Sequence, residues 1–133
     1  MKYLLNVNIL IALGFLGHEF HGTVTHWVGT LSTTRSVLAT CSLTELGFVR
    51  ILAQTPQYAF TIDDTKNLLR ELKAASPVRF EFFVDNHDAS HLPPWVRAPK
   101  QISDGHLLQL AKANGAELVT LDRGIPGAML IPL

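Results

Sequence analysis

The chain alternates short apolar runs with longer segments in which apolar residues recur every three or four positions. Short apolar runs are typical of buried strands, and the longer spacing is typical of amphipathic helices. Strands are predicted over 2–8, 36–41, 78–84 and 116–122, with a last short strand inside 123–133. Helices are predicted over 8–13, 19–31, 42–54, 61–76 and 103–115. Strands separated by helices favour a parallel sheet, so the predicted fold is α/β, a three-layer α/β/α sandwich with a central parallel sheet.

Capping signals refine the ends of two predicted helices. Ser42 followed by Glu45 has the spacing of a capping box, which predicts a helix beginning after Ser42. Ser103 is predicted as the N-cap of the last helix, and Gly115 as the residue that ends it. The segment 85–102 is rich in proline and predicts irregular structure, either functional or holding a short extra helix.

Length and composition bound the class of protein. The 133 residues predict a single domain spanning 1–133. A hydrophobic fraction of 47% and a charged fraction of 17% are typical of a folded globular chain. The formal net charge is zero, so any contact with a nucleic acid must come from local patches. The single cysteine, Cys41, excludes an intrachain disulfide and is expected to be a buried thiol.

The N-terminal apolar stretch needs a separate interpretation. It follows Lys2 and resembles a secretory signal, but Asn6 and Asn8 interrupt it and no small-residue cleavage site follows. It is also shorter than the roughly 20 apolar residues of a membrane-spanning helix. We therefore expect a soluble cytoplasmic protein without a membrane segment.

Polar side chains gather where the predicted strands end. Asn6 and Asn8 close the first strand, Glu45 lies in the helix after the second, Asp104 opens the last helix and Asp122 ends the strand before the final turn. In parallel sheets, ligands bind outside the carboxyl ends of the strands. Taken singly, these side chains have structural explanations as helix caps, dipole partners or turn residues. Taken together, they are expected to meet at one edge of the sheet.

Convergent carboxylates favour a bound cation. At close range their repulsion costs several kcal/mol unless a cation neutralises it or some of them stay protonated. Mg²⁺ prefers oxygen ligands and commonly uses one or two carboxylates with waters and substrate phosphates. Such a site suits the hydrolysis of phosphodiesters.

Four segments in order carry a resemblance to a known family: LLNVNILIAL, SLTELGFVRIL, SDGHLLQLA and ELVTLDRGI. Their order and spacing resemble those of the PIN-domain ribonucleases, especially the VapC toxins of bacterial toxin–antitoxin pairs. The resemblance covers essentially the whole chain. It implies an endoribonuclease that uses Mg²⁺ or Mn²⁺, an RNA substrate, a homodimer and a cognate antitoxin protein.

The resemblance also implies roles for individual residues. The metal-binding and catalytic positions of the family fall on Asn6, Glu45, Asp104 and Asp122. Two further positions, Asn8 and Thr120, are implied to orient these ligands. Arg123, next to Asp122, is predicted to contact the RNA backbone or to pair with a carboxylate of the site.

Position 6 departs from the family pattern, which has aspartate there. Asparagine has nearly the same shape but carries no charge, so the site falls from four potential negative charges to three. We expect weaker metal binding and impaired cleavage. Two explanations are open: a deliberate near-isosteric substitution that disarms a toxic enzyme, which we favour, and a natural degenerate member.

Three histidines are weaker candidates. His87 and His91 are four residues apart and make a zinc site conceivable, but a solvated loop is the favoured interpretation. His106 follows Asp104 by two residues, which on a helix points it away from the same ligand direction, so a substrate contact is disfavoured.

Two other functions compete with a nuclease. A non-enzymatic module would bind RNA or a protein partner without cleavage, and Asn6 is compatible with it. A phosphoacceptor signalling domain is disfavoured, because Asn6 and Asn8 are neutral and no lysine follows Lys112.

Overall fold

A five-stranded, all-parallel sheet with the order β3-β2-β1-β4-β5 forms the centre of the computed structural model, which describes residues 1–132. The strands are β1 (Lys2–Leu5), β2 (Val37–Cys41), β3 (Phe80–Phe83), β4 (Ala116–Thr120) and β5 (Met129–Leu130). The helices are α1 (Val7–Gly14), α2 (His21–Thr30), α3 (Ser42–Gln54), α4 (Ile62–Ala75) and α5 (Ile102–Ala113). Short 3₁₀ turns lie at Pro56–Tyr58, Ala89–His91 and Pro99–Gln101.

The two faces of the sheet carry separate cores. Leu5 and Leu38 face a core built with α1, α2, α3 and α4, whereas Leu4, Ala39 and Leu118 face a core built with α5. This alternation follows from the two-residue period of a strand. The predicted three-layer α/β/α sandwich with a central parallel sheet is therefore confirmed.

The first strand is shorter than predicted. It ends at Leu5 rather than at residue 8, because the side chain of Asn6 caps α1: its Oδ1 accepts the backbone N–H of Val7 at 2.6 Å. Asparagine favours such local bonds with the backbone over a strand ladder. Asn8 lies in the first turn of α1. The apolar stretch that resembled a signal thus forms a central strand and a largely buried helix.

Two predicted helix caps were wrong. In α3, Ser42 is the first helical residue and Cys41 is the N-cap, with the Thr44 hydroxyl accepting the Cys41 N–H at 3.0 Å. Glu45 is thereby free of capping. The N-cap of α5 is Gln101 rather than Ser103. Gly115 does follow the end of α5, with a φ of 65° that favours glycine.

The segment 85–102 is irregular, as predicted, and it packs on the start of α5. A methyl group added at Gly105 would lie 2.3 Å from Val96 Cγ2 and 3.2 Å from Pro93 Cδ. The glycine therefore permits a close approach that a side chain would block. This packing holds the segment beside the strand-end edge of the sheet.

No helix within residues 1–132 combines the length and apolar character needed to cross a membrane.

Candidate active site

Thr120, at the end of β4, joins the start of α1 to the end of the sheet. Its Oγ1 accepts the side-chain N–H groups of Asn6 and Asn8, each at 3.1 Å, and the backbone N–H of Asp122 at 3.0 Å. Asn8 Oδ1 in turn accepts the backbone N–H of Leu121 at 3.2 Å. Thr120 is fully buried and Asn6 nearly so. The structure thus brings together Asn6, Asn8, Thr120 and Asp122, as the sequence predicted.

The hydroxyl of Thr120 receives more donors than it can accept. A hydroxyl oxygen has two lone pairs and one donor of its own, whereas three N–H groups point at Thr120 Oγ1. Asn6 cannot turn its oxygen towards Thr120, because that oxygen already caps α1. If position 6 presented an acceptor to Thr120, that acceptor would receive the Thr120 hydroxyl proton. Only the N–H groups of Asn8 and Asp122 would then remain, one for each lone pair of Thr120 Oγ1. The hydrogen bonds at Thr120 therefore favour an acceptor at position 6, whereas the nearby Asp104 carboxylate favours the amide of Asn6.

Asp104 and Asp122 interact electrostatically across the same edge. Burial and the negative charge of Asp122 raise the pKa of Asp104, and a hydrogen bond from the Asn6 side chain opposes this rise. Asp122 is exposed, and its Oδ1 accepts the backbone N–H of Gly124 at 2.7 Å. A raised pKa beside a second carboxylate indicates a place where a cation would be stabilising.

Glu45 bonds to a different set of partners from Asp104 and Asp122. Its Oε2 accepts the hydroxyl of Thr40 at 2.5 Å and also binds the Lys73 ammonium of α4. Thr40 lies near the carboxyl end of β2, one residue after Ala39, which pairs with Leu4 of β1. Because Glu45 bonds to Thr40, it also remains at the strand-end edge. A lysine from α4 therefore supplies the counter-charge of this carboxylate.

A metal is best accommodated by the aspartate pair. Within residues 1–132, no three Asp, Glu, His or Cys side chains are arranged as a ready metal site. Two carboxylates with waters are nonetheless a usual ligand set for Mg²⁺. Asp104 and Asp122 fit that description, whereas Asn6 contributes no charge and Glu45 is held by Lys73.

Arg123 is exposed in the turn after Asp122. The described residues include no salt bridge to it, so the alternative of an ion pair with a site carboxylate is not what the structure shows. Its side chain lines a small cavity of about 110 Å³ together with Thr120 and Leu121. Arg123 is therefore placed beside the site with its charge uncommitted.

Sequence reasoning disfavoured His106 as a substrate contact and missed its pairing with Asp85, which forms a second polar group at this edge. His106 Nε2 lies 2.5 Å from Asp85 Oδ2, and Asp85 directly follows the loop residue after β3. Burial raises the pKa of Asp85, but bonds from the His87 N–H and the His106 ring, with the charges of these histidines, lower it overall. The rule that found the other residues, polar groups just past strand ends, also singles out Asp85. Lys73 was missed as well, because nothing local links α4 to Glu45.

The fold and this edge define a domain of the PIN type, and comparisons with known proteins agree. A crystal structure of VapC20 from Mycobacterium tuberculosis, described as a sarcin-ricin loop cleaving toxin, superposes with a TM-score of 0.64 at 15% identity over 96% of each chain, which shows a shared fold. No family model matches the chain.

Closer relatives place the chain in a family. It is 35% identical to Ribonuclease VapC38 over 128 residues, 92% of this chain and 86% of that protein. Identity to Ribonuclease VapC44 is 34% over 142 residues, covering 96% of this chain and 94% of that protein. Ribonuclease VapC29 is 30% identical over 138 residues, with 99% and 98% covered. All three are from Mycobacterium tuberculosis. The chain belongs to the VapC ribonucleases, PIN-domain toxins.

Proposed function

We propose that the chain is a Mg²⁺- or Mn²⁺-dependent endoribonuclease toxin whose activity is weakened by Asn6. The observation that carries this proposal is the pair Asp104 and Asp122 at the strand-end edge, where burial and then the negative charge of Asp122 raise the pKa of Asp104. Membership of the VapC ribonucleases supports RNA cleavage as the reaction. The two neighbouring carboxylates, Asp104 and Asp122, support the use of a divalent metal ion.

The metal would be held by Asp104 and Asp122, with position 6 and Glu45 as the other ligand positions implied by the family. A bound divalent ion would activate water and stabilise charge on the scissile phosphate. Asn8 and Thr120 fix the start of α1 against the end of β4 and so hold position 6 in place. Arg123, exposed next to Asp122, is proposed to contact an RNA phosphate.

Asn6 reduces the charge available to this metal. The hydrogen bonds at Thr120 fit an aspartate at position 6 better than the asparagine present. Both a deliberate substitution, which we favour, and a natural degenerate member would leave Asn6 in a site built for aspartate. Its effect is to remove one negative ligand while keeping the helix cap.

The partners are proposed on the same basis. RNA would be the substrate, a cognate antitoxin would neutralise the toxin, and a homodimer is the expected assembly. The cytoplasm is the proposed compartment. A second function, binding of RNA or a protein partner without cleavage, is compatible with the uncharged side chain of Asn6.

A cleavage assay separates the two functions. The chain and its Asn6→Asp variant are incubated with a panel of structured RNAs in Mg²⁺, in Mn²⁺ and with a chelator, with Asn6→Asp/Asp104→Asn as the control for contaminating nuclease. We expect metal-dependent cuts at defined positions from Asn6→Asp, far fewer from the chain itself, and none from the control. A folded Asn6→Asp variant that cuts nothing but still binds RNA would establish the binding function instead.

A further inference from the structure

A cavity on the β3 side of the strand-end edge has the character of a base-binding pocket. Its volume is about 460 Å³, within the range of roughly 300–1,000 Å³ typical of small-ligand sites. Apolar side chains from three elements line it, namely Leu43 and Leu46 of α3, Leu92 of the 85–102 segment and Ile102 of α5. Leu46 and Ile102 are exposed, so the cavity opens to solvent.

Polar residues also line the cavity, namely Ser42, Asp85, His87, Asp88, Ser103 and His106. His106 and Asp85 line it and form the 2.5 Å hydrogen bond between Nε2 and Oδ2. Asp85 Oδ1 also accepts the backbone N–H of His87 at 3.0 Å, so both oxygens of the carboxylate are engaged. The carboxylate therefore fixes the His106 ring with its proton on Nε2.

The opposite nitrogen of that ring is free to recognise a ligand. His106 Nδ1 has no hydrogen-bond partner among residues 1–132, and it is not sealed from solvent as His87 Nδ1 is. With the proton on Nε2, Nδ1 is a hydrogen-bond acceptor. The His87 ring, which also lines the cavity, meets the His106 ring edge-on at 6.5 Å between centroids. A slot with apolar walls, imidazole rings and a free acceptor on His106 matches a planar heterocycle that carries an N–H group.

The cavity lies next to the proposed metal site. Ser103 and His106, on either side of Asp104 in the first turns of α5, both line it. The start of α5 therefore presents Asp104 to the edge near Asp122 and His106 to the cavity. An RNA strand whose phosphate reaches Asp104 passes this opening.

We propose that this cavity holds one unstacked base of the RNA near the cleavage position, an inference that rests on the proposed function. His106 Nδ1 would accept a hydrogen bond from an N–H group of that base. Single-stranded bases are commonly recognised in this way, by stacking on aromatic or imidazole rings and by hydrogen bonds to their edges. Asp85 is a positioning residue that orients the ring. The cavity thus gives the enzyme a base preference at one position.

The direct test uses the chain as it is, with a chelator present, and needs neither metal nor cleavage. Methyl NMR signals of Ile102 and Leu92 are followed during addition of each nucleoside 5′-monophosphate, with ribose 5-phosphate as the control for phosphate alone. We expect shifts with at least one nucleotide that carries a base N–H, and none with ribose 5-phosphate. His106→Ala and His106→Gln should abolish the shifts, whereas the exposed His26→Ala should keep them. Equal shifts with ribose 5-phosphate, or none with any nucleotide at tens of millimolar, would overturn the proposal.

A second test uses the Asn6→Asp variant on RNAs that differ at one position near the cut. His106→Gln and Asp85→Asn should each lower kcat/KM for the preferred RNA about tenfold, mainly through KM, and should level the preference among bases. An abasic residue at the same position should cost a similar factor, with no further loss when combined with His106→Gln. Retained base preference in both variants would contradict the pocket. If Asn6→Asp cuts nothing, the proposed nuclease function fails while the NMR result still decides whether the pocket binds a base.

Discussion

The carboxylates on the two sides of the strand-end edge differ in whether a basic side chain pairs with them. On the β4 side, Asp104 and Asp122 repel each other, and the described residues place no lysine or arginine in a salt bridge with either. On the β2 side, Glu45 binds Lys73 and the Thr40 hydroxyl. An external cation would therefore stabilise the ionised carboxylates on the β4 side, whereas the β2 side carries its own cation in Lys73.

This difference explains where a substitution has most effect. Position 6 lies on the uncompensated side, where each negative charge adds to the attraction for a metal. A neutral residue there would relieve repulsion in the metal-free protein and, on the proposed function, would weaken metal binding at the same time. The same change at Glu45 would instead leave Lys73 without its partner.

The largest effect is expected on the β4 side. Asp122→Asn, made in the Asn6→Asp background, removes a proposed metal ligand while its side-chain oxygen still accepts the Gly124 N–H. Loss of a ligand should weaken Mg²⁺ affinity and cleavage by more than about 100-fold. Calorimetric metal titration and a cleavage time course measure this, with the exposed Asp63→Asn on α4 as the control. Equal losses in both variants would contradict a site at Asp122.

Thr120→Val is expected to have the next largest effect, on stability. The methyl group preserves shape but leaves the N–H groups of Asn6, Asn8 and Asp122 without their common acceptor. We expect a loss of about 2 kcal/mol in the free energy of unfolding, measured with urea.

Thr65→Val is its matched control. Thr65 is equally buried, but its hydroxyl only donates to the Ile62 carbonyl within α4. Its substitution should cost less than about 1 kcal/mol. A neutral Thr120→Val, or equal costs at the two positions, would show that the Thr120 bonds do not hold the edge together.

A smaller effect is expected from Lys73→Met on the β2 side. The pair with Glu45 is partly exposed, at 30% for Lys73 and 22% for Glu45, so its strength is modest. Without the ammonium, Glu45 should become available to a cation, and Mg²⁺ affinity of the Asn6→Asp variant should rise about threefold. Lys66→Met, on the exposed face of α4, is the control. An affinity that falls, or does not change, would place Glu45 outside the metal site.

The smallest expected effect is a pH dependence from Asp104 in the metal-free protein. Its pKa is raised in the folded state, so the protonated form stabilises the fold at low pH and this contribution is lost as pH rises through the raised pKa. Asp104→Asn should therefore increase the urea midpoint slightly at pH 7 with a chelator present, and the gain should vanish below the pKa of an unfolded aspartate. A variant less stable than the parent at pH 7 would contradict the repulsion between Asp104 and Asp122.

The sequence predicted the sheet, its order of elements and most of the edge, because these depend on local periodicity and on polar residues at strand ends. The end of β1 was wrong by three residues, since an asparagine that caps α1 also looks like the last residue of a strand. The Ser42 and Ser103 caps were wrong because the N-caps, Cys41 and Gln101, lie one and two residues earlier in the chain, respectively.

Contacts between elements far apart in the chain could not be predicted from the sequence. The pairing of Glu45 with Lys73 spans 28 residues and that of Asp85 with His106 spans 21, and neither has a local pattern. The crowding of donors on Thr120 likewise appears only when α1 and β4 are brought side by side. The sequence therefore identifies the candidate carboxylates, but three-dimensional packing determines which of them pair with a basic side chain.

Position 6 is proposed to set the charge of the metal site, and the affinity for Mg²⁺ reports this charge. Calorimetry would compare the chain with Asn6→Asp and with Asn67→Asp, which adds the same charge on the exposed face of α4. We expect Asn6→Asp to bind Mg²⁺ at least about tenfold more tightly than the chain, and Asn67→Asp to match the chain. Unchanged affinity in a correctly folded Asn6→Asp variant would contradict the account.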